Sequence, residues 1–336
     1  GSEELPERLC IRPTSETLFC DHWSHTVHSW RDLPMLYNQW CSVLRWEKTT
    51  RPFLRGREFL WQEGHTVHAT REEAEKETLD ILHLYADFAR DCLAMPVLIG
   101  QKTEKEKFAG AEETYGMEAM MQDGKSLQAG TTHHFGDKFA RAYDIQFLDR
   151  DGTHKYAWQT SWGVSTRLIG ALIMAHGDAR GLILPPAVAP VQAIVLPIAI
   201  HKAGVEEAAR SVIDRLVAAG VRCEGDFSDQ TPGWKFNEWE MKGVPLRLEI
   251  GPRDIENGVV TVVRRDNGEK SVVKNEELEG VIKRLLSDVH ESMYRKAEAF
   301  RDSRIKEAHT LDELKKYLEE KEIGTIIHYP IPPHLS

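Results

Sequence analysis

The sequence has few cysteines, and they follow no pairing pattern. The 336 residues include five cysteines, an odd number, and no two of them have the C-x-x-C spacing. They lie at Cys10, Cys20, Cys41, Cys92 and Cys223. This usage argues against a disulfide framework and against a thiolate zinc site, and it favours a reducing compartment such as the cytoplasm.

Segments that would target or anchor the chain are also missing. The opening residues, Gly-Ser-Glu-Glu, are too polar for a signal peptide. Because residue 1 is not Met, we expect the chain to be part of a longer protein. One long apolar run covers residues 181–200, but its four prolines would break a membrane helix. We therefore predict no membrane span.

The common phosphate-binding loops are absent. The sequence has neither the Walker pattern G-x-x-x-x-G-K-[ST] nor a G-x-G-x-x-G after a strand, and it has no internal repeat. The net charge of −10 argues against general polyanion binding, so a nucleic-acid surface would be a local patch. With 41% hydrophobic and 29% charged residues, the composition is that of an ordinary globular protein of about two domains.

What the sequence does contain is a charged, aromatic hairpin. Residues 40–47 and 55–63 have strand composition and are joined by a loop that includes Pro52. Strand side chains alternate between faces, so Arg45 and Glu47 share one face. By the same parity, one face of the return strand carries Arg57, Phe59, Trp61 and Glu63. Since unpaired charges are costly to bury, we predict that this side binds a ligand with a phosphate and an aromatic ring.

Two predicted helix starts carry polar residues that fit a site. The hexapeptide Arg-Pro-Thr-Ser-Glu-Thr opens a helix towards Trp30, with Thr14 or Ser15 as its N-cap and Glu16 in its first turn. Arg167 lies in the first turn of a later apolar helix, where the helix dipole disfavours a cation. Either an anion binds there, or the guanidinium extends into solvent.

The remaining pattern changes part-way along the chain. Before the proline-rich linker at residues 185–190, a capping box at Thr70 opens a long amphipathic helix, and strands are predicted at 126–135 and 139–147. Beyond the linker, strands and helices alternate, which is typical of an α/β domain. The predicted strands are 193–200, 246–250 and 259–264, and the predicted helices are 205–219 and 276–301.

Together these stretches resemble class II aminoacyl-tRNA synthetases. Arg45-Trp-Glu47, a loop, and then Arg55 and Phe59 are similar to motif 2 of that class, and Arg167 is similar to motif 3. Longer stretches narrow the resemblance to prolyl-tRNA synthetases and cover nearly the whole chain. They are RPTSET (12–17), REFLWQEGH (57–65), TEKEKFAG (103–110), GLILPP (181–186), PGWKFN (232–237) and KGVPLRLEIGPRD (242–254).

The resemblance implies a fold, a reaction and partners. The fold would be an α+β catalytic domain, an antiparallel sheet flanked by helices, followed by an α/β anticodon-binding domain. The reaction would be activation of L-proline with ATP and Mg²⁺ to prolyl-adenylate, followed by transfer to tRNA(Pro) in the cytoplasm. The protein would be a homodimer. No metal ligands and no zinc site are expected within this chain.

The resemblance also implies roles for individual residues. The catalytic residues would be Arg45 and Arg167. ATP would contact Arg45, Glu47, Arg55, Phe59, Gln128, Thr131 and Arg167. Proline would contact Thr14, Glu16, Arg45, Phe59, Trp61, Glu63, His133, Ser161 and Gly163. For Glu63 and His133 the alternative is an indirect, hydrogen-bonding role.

A second set of residues matches the positions that read the anticodon in this family. They are Glu240, Arg247, Arg253 and Asp254. Arginine and acidic side chains can recognise guanine edges, which suits the two guanines of proline anticodons. The alternative for these four residues is a surface salt-bridge cluster.

The resemblance leaves expectations about completeness open to test. We expect a catalytic domain at 1–187 without motif 1, an anticodon-binding domain at 188–290, and a helical, incomplete start of a C-terminal domain at 291–336. Motifs 2 and 3 lie close together, so the editing insertion of bacterial-type relatives is absent and the archaeal and eukaryotic type fits. Two other functions compete: a catalytically silent paralogue that binds tRNA, and a sister class II synthetase for threonine or serine.

Overall fold

The computed structural model describes Glu7, residues 9–319 and the backbone of Ile326–His328. It divides into two compact units. The first contains residues up to Ala86, Val97–Ala119 and Leu127–Ala171. The second contains Asp87–Pro96, Met120–Ser126 and the described residues from Leu172 onward. The domain bounds expected at residues 187 and 290 remain predictions.

The described residues up to 176 form eight strands and four α-helices. In chain order they are α1 (Glu16–Thr26), β1 (Met35–Leu44), β2 (Glu58–His68), α2 (Arg71–Asp91), β3 (Val97–Gln101), β4 (Glu113–Met120), β5 (Ser126–Gly136), α3 (Lys138–Tyr143), β6 (Gln146–Leu148), β7 (His154–Tyr156), β8 (Trp158–Ser165) and α4 (Arg167–His176).

Six of these strands form one sheet in the order β1-β2-β8-β5-β4-β3. The pairs β1–β2, β2–β8, β5–β8 and β3–β4 are antiparallel. On β2, Gly64 faces the indole of Trp162 on the neighbouring β8, and a Cβ added to Gly64 would lie 2.1 Å from that ring. A glycine is therefore required where this tryptophan crosses the neighbouring strand.

Three helices of this part, α1, α2 and α4, start where the sequence predicts them. Thr70 accepts a hydrogen bond from the Glu73 amide (3.2 Å) while the Glu73 carboxylate accepts one from the Ala69 amide (3.1 Å), which caps α2. α4 begins with the Arg167 amide donating to the Ser165 hydroxyl at 3.2 Å. A buried core beneath α1 contains Trp23, Val67, Ile145 and Phe147, among others.

From residue 193 the chain forms a mixed α/β arrangement, as predicted. Its elements are β9 (Ala193–Pro197), α5 (Val205–Ala218), β10 (Cys223–Gly225), α6 (Pro232–Met241), β11 (Leu246–Ile250), α7 (Pro252–Glu256), β12 (Val259–Arg264), β13 (Lys270–Lys274), α8 (Leu278–Asp302), β14 (Ile305–Glu307), α9 (Leu311–Glu319) and β15 (Ile326–His328). A five-stranded sheet has the order β10-β9-β11-β12-β13, with β9 parallel to both of its neighbours. β14 and β15 pair in parallel, so the stretch expected to be helical also contains two short strands.

Several predicted bounds were wrong. The strand expected at residues 139–147 is a helix, α3, followed by the short β6. α1 ends at Thr26 and does not continue to Trp30. The hairpin strands, predicted at residues 40–47 and 55–63, are Met35–Leu44 (β1) and Glu58–His68 (β2).

Among the described residues, no helix has both the length and the apolar character needed to cross a membrane.

Candidate active site and anticodon surface

One face of the β1–β2 hairpin presents a guanidinium between aromatic rings. The Arg45 guanidinium carbon lies 5.3 Å from the ring centroids of both Phe59 and Trp61. Its Nε donates to the Pro13 carbonyl oxygen at 2.9 Å, which ties the hairpin to the segment before α1. The predicted shared face of Arg45, Phe59 and Trp61 is thus confirmed by geometry.

Two cavities open on this face and share part of their walls. The larger, cavity A, has a volume of about 220 Å³. That is far more than the roughly 10–15 Å³ a single water requires, so a small organic molecule fits. Cavity A is lined by Thr14, Glu16, Arg45, Trp61, Glu63, His65, Lys102, Glu106, Phe108, Thr114, Gln128, Thr131, His133, Ser161, Trp162 and Gly163.

The smaller, cavity B, has a volume of about 100 Å³ and lies beside α4. It is lined by Arg45, Phe59, Trp61, Gln128, Ala129, Gly130, Thr131, Gly163, Val164, Ser165 and Arg167. Five residues line both cavities: Arg45, Trp61, Gln128, Thr131 and Gly163. All the expected proline-binding residues except Phe59 line cavity A, and Phe59 lines cavity B.

Glu16 provides a carboxylate in the wall of cavity A. The Thr14 hydroxyl donates to its Oε2 at 2.5 Å, and the Ser161 hydroxyl donates to its Oε1 at 3.3 Å. Glu16 is 8% exposed and has no cation as a partner within the described residues. A cationic ligand group would complete the arrangement.

Glu63 is held by a closed network of hydrogen bonds. Its Oε1 accepts from the Ser15 hydroxyl and from Gln39 Nε2 (2.5 Å), and its Oε2 lies 3.0 Å from His65 Nε2. Burial raises the pKa of Glu63, but the hydrogen bonds from His65, Ser15 and Gln39 outweigh it and hold the pKa below its usual value. The Ser15 hydroxyl therefore bonds to Glu63 and does not cap α1.

His133 forms a neutral part of the wall and contacts an aromatic ring. Its Nδ1 lies 2.9 Å from the Thr114 hydroxyl, and its ring centroid lies 4.8 Å from that of Phe108. Burial lowers the pKa of His133 to about 4, with further lowering from His65 and Lys102. At neutral pH this side chain therefore does not repel a cation in cavity A.

Arg167 lies in cavity B without an acidic hydrogen-bond partner among the described residues. Its Nε donates to the Leu54 carbonyl oxygen at 3.0 Å and its Nη1 to the Gln128 carbonyl oxygen at 3.3 Å. Burial lowers the pKa of Arg167, and the nearby cations Arg55 and Arg45 lower it further. Arg55 and Arg45 therefore repel the Arg167 guanidinium, and an anionic ligand would relieve this repulsion.

Two expected ATP-binding residues lie outside both cavity walls. Arg55 Nη1 and Glu47 Oε2 form an ion pair at 3.2 Å. Arg57 was predicted to share the face of Phe59, but its guanidinium lies 5.0 Å from the centroid of the Trp46 ring. The Arg57 Nε donates to the Glu47 carbonyl oxygen at 3.2 Å, and this hydrogen bond together with the Trp46 contact directs the side chain towards the loop.

Several residues of the site, in the cavity walls or bonded to a wall residue, were not singled out from the sequence. Gln39 occupies the same strand face as Arg45, so extending the parity argument along β1 would have found it. Lys102 and Phe108 also line cavity A, and of these only Phe108 lies in the TEKEKFAG stretch that carries part of the family resemblance. Thr114 becomes relevant only through its contact with His133.

The second unit brings together two of the four expected anticodon residues. Glu240 and Arg247 line one cavity, cavity C, of about 330 Å³, together with Phe236 and Trp239. Both have ionic partners: Glu240 lies 2.5 Å from Arg180, and Arg247 lies 3.0 Å from Glu249.

The other two expected anticodon residues lie on α7 and do not line cavity C. The Asp254 carboxylate accepts hydrogen bonds from the Gly251 amide (2.9 Å) and the Thr261 hydroxyl (3.2 Å). It therefore supports the start of the helix, while the Arg253 carbonyl accepts from Asn257 at 2.8 Å.

In the described ranges, no three His, Cys, Asp or Glu side chains group in a way that could hold a metal ion.

Comparison with known proteins decides the family. Residues 2–176 match the tRNA synthetase class II core domain (G, H, P, S and T), and residues 192–285 match the anticodon binding domain. Two sets of relatives are similar over nearly the whole chain. Proline–tRNA ligase 2 of Bacillus cereus (strain ZK / E33L) is 58% identical over 322 residues, covering 96% of this chain and 67% of the relative.

The chain belongs to the proline–tRNA ligases of class II.

A ligase from a different genus supports the same family. Proline–tRNA ligase of Clostridium novyi (strain NT) is 58% identical over 321 residues, covering 96% of this chain and 67% of the relative. The chain thus spans about two thirds of the length of these ligases. Both fold predictions are confirmed: a class II core with an antiparallel sheet and helices, and then a mixed α/β anticodon-binding domain.

Proposed function

We propose that this proline–tRNA ligase core activates L-proline with ATP to prolyl-adenylate and transfers the prolyl group to tRNA(Pro). The observation that carries the proposal is a cavity with a carboxylate in its wall beside two guanidinium groups, those of Arg45 and Arg167, that have no acidic partner among the described residues. Such a reaction needs no protein nucleophile. It depends on holding the amino acid carboxylate near the α-phosphate and on neutralising phosphate charge.

Cavity B and its surroundings are the proposed nucleotide site. Arg45 would bridge the α-phosphate and the substrate carboxylate, since it lines both cavities and guanidinium groups bind such oxygens in a bidentate manner. Phe59 and Arg167 would enclose the adenine, and Arg55 would meet the γ-phosphate once its ion pair with Glu47 opens. Gln128 and Thr131 are proposed nucleotide contacts from the shared wall. Mg²⁺ in such sites is bound largely by phosphate oxygens and water, so we propose that it enters as the ATP complex.

Cavity A is the proposed proline site. Thr14 and Glu16 would receive the secondary ammonium, and Trp61 would pack on the apolar ring. Ser161 and Gly163 would complete the floor. Glu63 and His133 act indirectly in this proposal, because the Glu63 oxygens already have partners and His133 Nδ1 is bonded to Thr114.

The test is proline-dependent ATP–pyrophosphate exchange. Replacing Arg45 with Ala should lower the exchange rate about 10²- to 10³-fold, as expected for removal of a group that stabilises developing charge. The matched control is Lys48→Ala, an exposed cation in the adjoining loop. Exchange that depends on threonine or serine would indicate a sister synthetase. Tight tRNA binding without adenylate formation would indicate a silent paralogue.

For tRNA, we propose that Glu240 and Arg247 contact anticodon bases in cavity C, with Arg253 and Asp254 nearby on α7. A base contact predicts that Arg247→Ala weakens binding of tRNA(Pro) and reduces discrimination against an anticodon with one guanine changed to adenine. If the residue serves only its ion pair with Glu249, affinity should fall equally for both tRNAs.

We further propose that the chain assembles as a homodimer in the cytoplasm. β1 is an edge strand, and the face opposite the site carries exposed apolar side chains. They are Leu36, Trp40, Leu44 and Leu60. Light scattering after size exclusion should give a dimer that Trp40→Glu converts to monomer, while Trp234→Glu, at an exposed tryptophan of the second unit, leaves the mass unchanged.

A further inference from the structure

A fourth cavity, cavity D, lies in the second unit and has no part in the proposed reaction. Its volume is about 310 Å³, larger than cavity A. Its walls come from α8, from the ends of α4 and β4, and from connecting segments of the same unit. A largely apolar cavity of this size with a few polar groups is typical of small-molecule sites.

One face of α8 supplies much of the wall. Ser292, Met293, Lys296, Ala297 and Phe300 line the cavity, and their spacing places them along one side of two helical turns. Apolar side chains from other segments face this surface. These are Met120, Ala175 and Ile183. The body of a ligand would therefore meet methionine, alanine, isoleucine and a phenyl ring.

His176 adds a hydrogen-bond acceptor to the apolar walls. Its Nε2 lies 2.9 Å from the Leu93 carbonyl oxygen, which can only accept, so Nε2 carries the proton. Burial lowers the pKa of His176 to about 4, so the ring is neutral and Nδ1 is unprotonated. Nδ1 has no hydrogen-bond partner in the described part of the chain. By contrast, Gln122 is already engaged, donating to the Ala175 and Gly177 carbonyl oxygens at 2.9 Å each.

The charges of cavity D favour an anion. The Asp266 carboxylate accepts two hydrogen bonds from Arg264, at 3.0 and 2.7 Å, so its charge is compensated. Lys296, exposed on the rim, has neither a hydrogen bond nor an ion pair within the described residues. The group that remains to attract a ligand charge is thus an ammonium.

We propose that cavity D binds a small apolar molecule that carries one anionic group. Its body packs against Met293, Ile183 and Phe300. Its anionic group lies at Lys296, and an N–H or O–H donates to Nδ1 of His176.

The dye 8-anilinonaphthalene-1-sulfonate has these three features and reports binding by fluorescence. Titrated into the whole chain, it should bind with a saturable stoichiometry of one dye per chain. Ala297→Phe, which fills the cavity from α8, should abolish that binding phase. Lys296→Met should weaken it about three- to fivefold, the contribution of one partly solvated ion pair. Lys283→Met, an exposed lysine on the same helix, is the matched control and should leave the affinity unchanged.

A neutral dye separates the charge from the apolar contribution. N-phenyl-1-naphthylamine lacks the sulfonate, so wild type and Lys296→Met should bind it equally. If wild type binds both dyes equally tightly, the anionic part of the proposal is refuted. If Ala297→Phe retains its circular dichroism spectrum and still binds the sulfonate dye normally, or if excess proline and ATP displace the dye, cavity D is not the site. Increased amide protection of residues 292–300 on dye addition gives a second readout that does not require the variant.

Discussion

The Glu63 network offers a direct test of how the site is organised. Replacing Glu63 with Gln keeps the shape of the side chain but removes a buried negative charge. In the wild type its two oxygens accept from Ser15, Gln39 and His65, and only 2% of the residue is exposed. In the variant, the side-chain NH₂ group at position 63 points at a neighbour that donates a hydrogen bond in the wild type. That neighbour would have to accept a hydrogen bond instead. His65 can accept it only by changing tautomer.

The expected cost follows from the hydrogen bonds that change. Losing the charge from a buried, multiply bonded carboxylate should lower the free energy of unfolding by about 2–3 kcal/mol. Since the network fixes β1, β2 and the segment before α1, the proline site should loosen as well. We expect the KM for proline to rise about tenfold, the equivalent of about 1.4 kcal/mol, with the KM for ATP little changed.

Urea unfolding and pyrophosphate exchange with each substrate varied in turn measure both effects. Glu58→Gln is the matched control, because Glu58 lies on the same strand and is exposed. An E63Q variant with wild-type stability and a wild-type KM for proline would refute the reasoning. So would an equal rise in both KM values.

The pH dependence gives an independent check on Glu63. Its pKa is lowered in the folded state, so its contribution to stability is present above the unfolded-state pKa, near 4.5, and is lost as the pH falls through the folded value. The stability difference between wild type and E63Q should therefore be constant at neutral pH and shrink in acid. A difference that grows on acidification would contradict an ionised Glu63.

Three further predictions concern stability. Gly64→Ala should lower the free energy of unfolding, measured in urea, by about 3 kcal/mol or more, because the new Cβ would clash with the Trp162 ring. Adding Trp162→Ala should recover part of that loss. Asp178→Asn should lower the free energy of unfolding by about 2–3 kcal/mol, because it removes the negative charge that pairs with the buried Arg265. Asp214→Asn, at an exposed residue, should change it little. Acidification from pH 6.5 to 5 should lower the free energy of unfolding by about 1.6 kcal/mol for each histidine that is neutral when folded and protonates when unfolded. Melting curves without that loss would contradict the assignment. These histidines, with folded pKa values of about 4, are His68, His133 and His176.

The sequence predicted which side chains share a face of the hairpin better than it predicted where the two strands begin and end. Parity along the strands correctly placed Arg45 with Phe59 and Trp61, because alternation is a property of any strand. It failed at Arg57, whose side chain bonds to the Glu47 carbonyl oxygen and contacts the Trp46 ring. β11 and β12 were predicted with their observed bounds, since β-branched and leucine-rich runs there end at clear turn residues.

Other parts depend on contacts that local patterns do not reveal. The stretch Phe-Ala-Arg-Ala-Tyr in α3 fits a period of two as well as a helical one, and packing of its Ala140 in the buried core accompanies the helical outcome. Serine is a common helix-capping residue, yet the Ser15 hydroxyl bonds to Glu63, 48 residues away. Such long-range partners become visible only when the strands are placed beside one another.

The strand order of the first sheet also constrains how the site can form during synthesis. β2 pairs with β8, so Glu63 lies opposite Gly163, a hundred positions later in the chain. Pairing of distant segments requires closure of a long loop before its contacts are gained, and folding slows accordingly. On a ribosome, β1 and β2 would emerge well before β8 covers the open edge of β2. During that interval an apolar strand edge is exposed, and we expect this nascent stretch to be the part of the chain that most needs protection from aggregation.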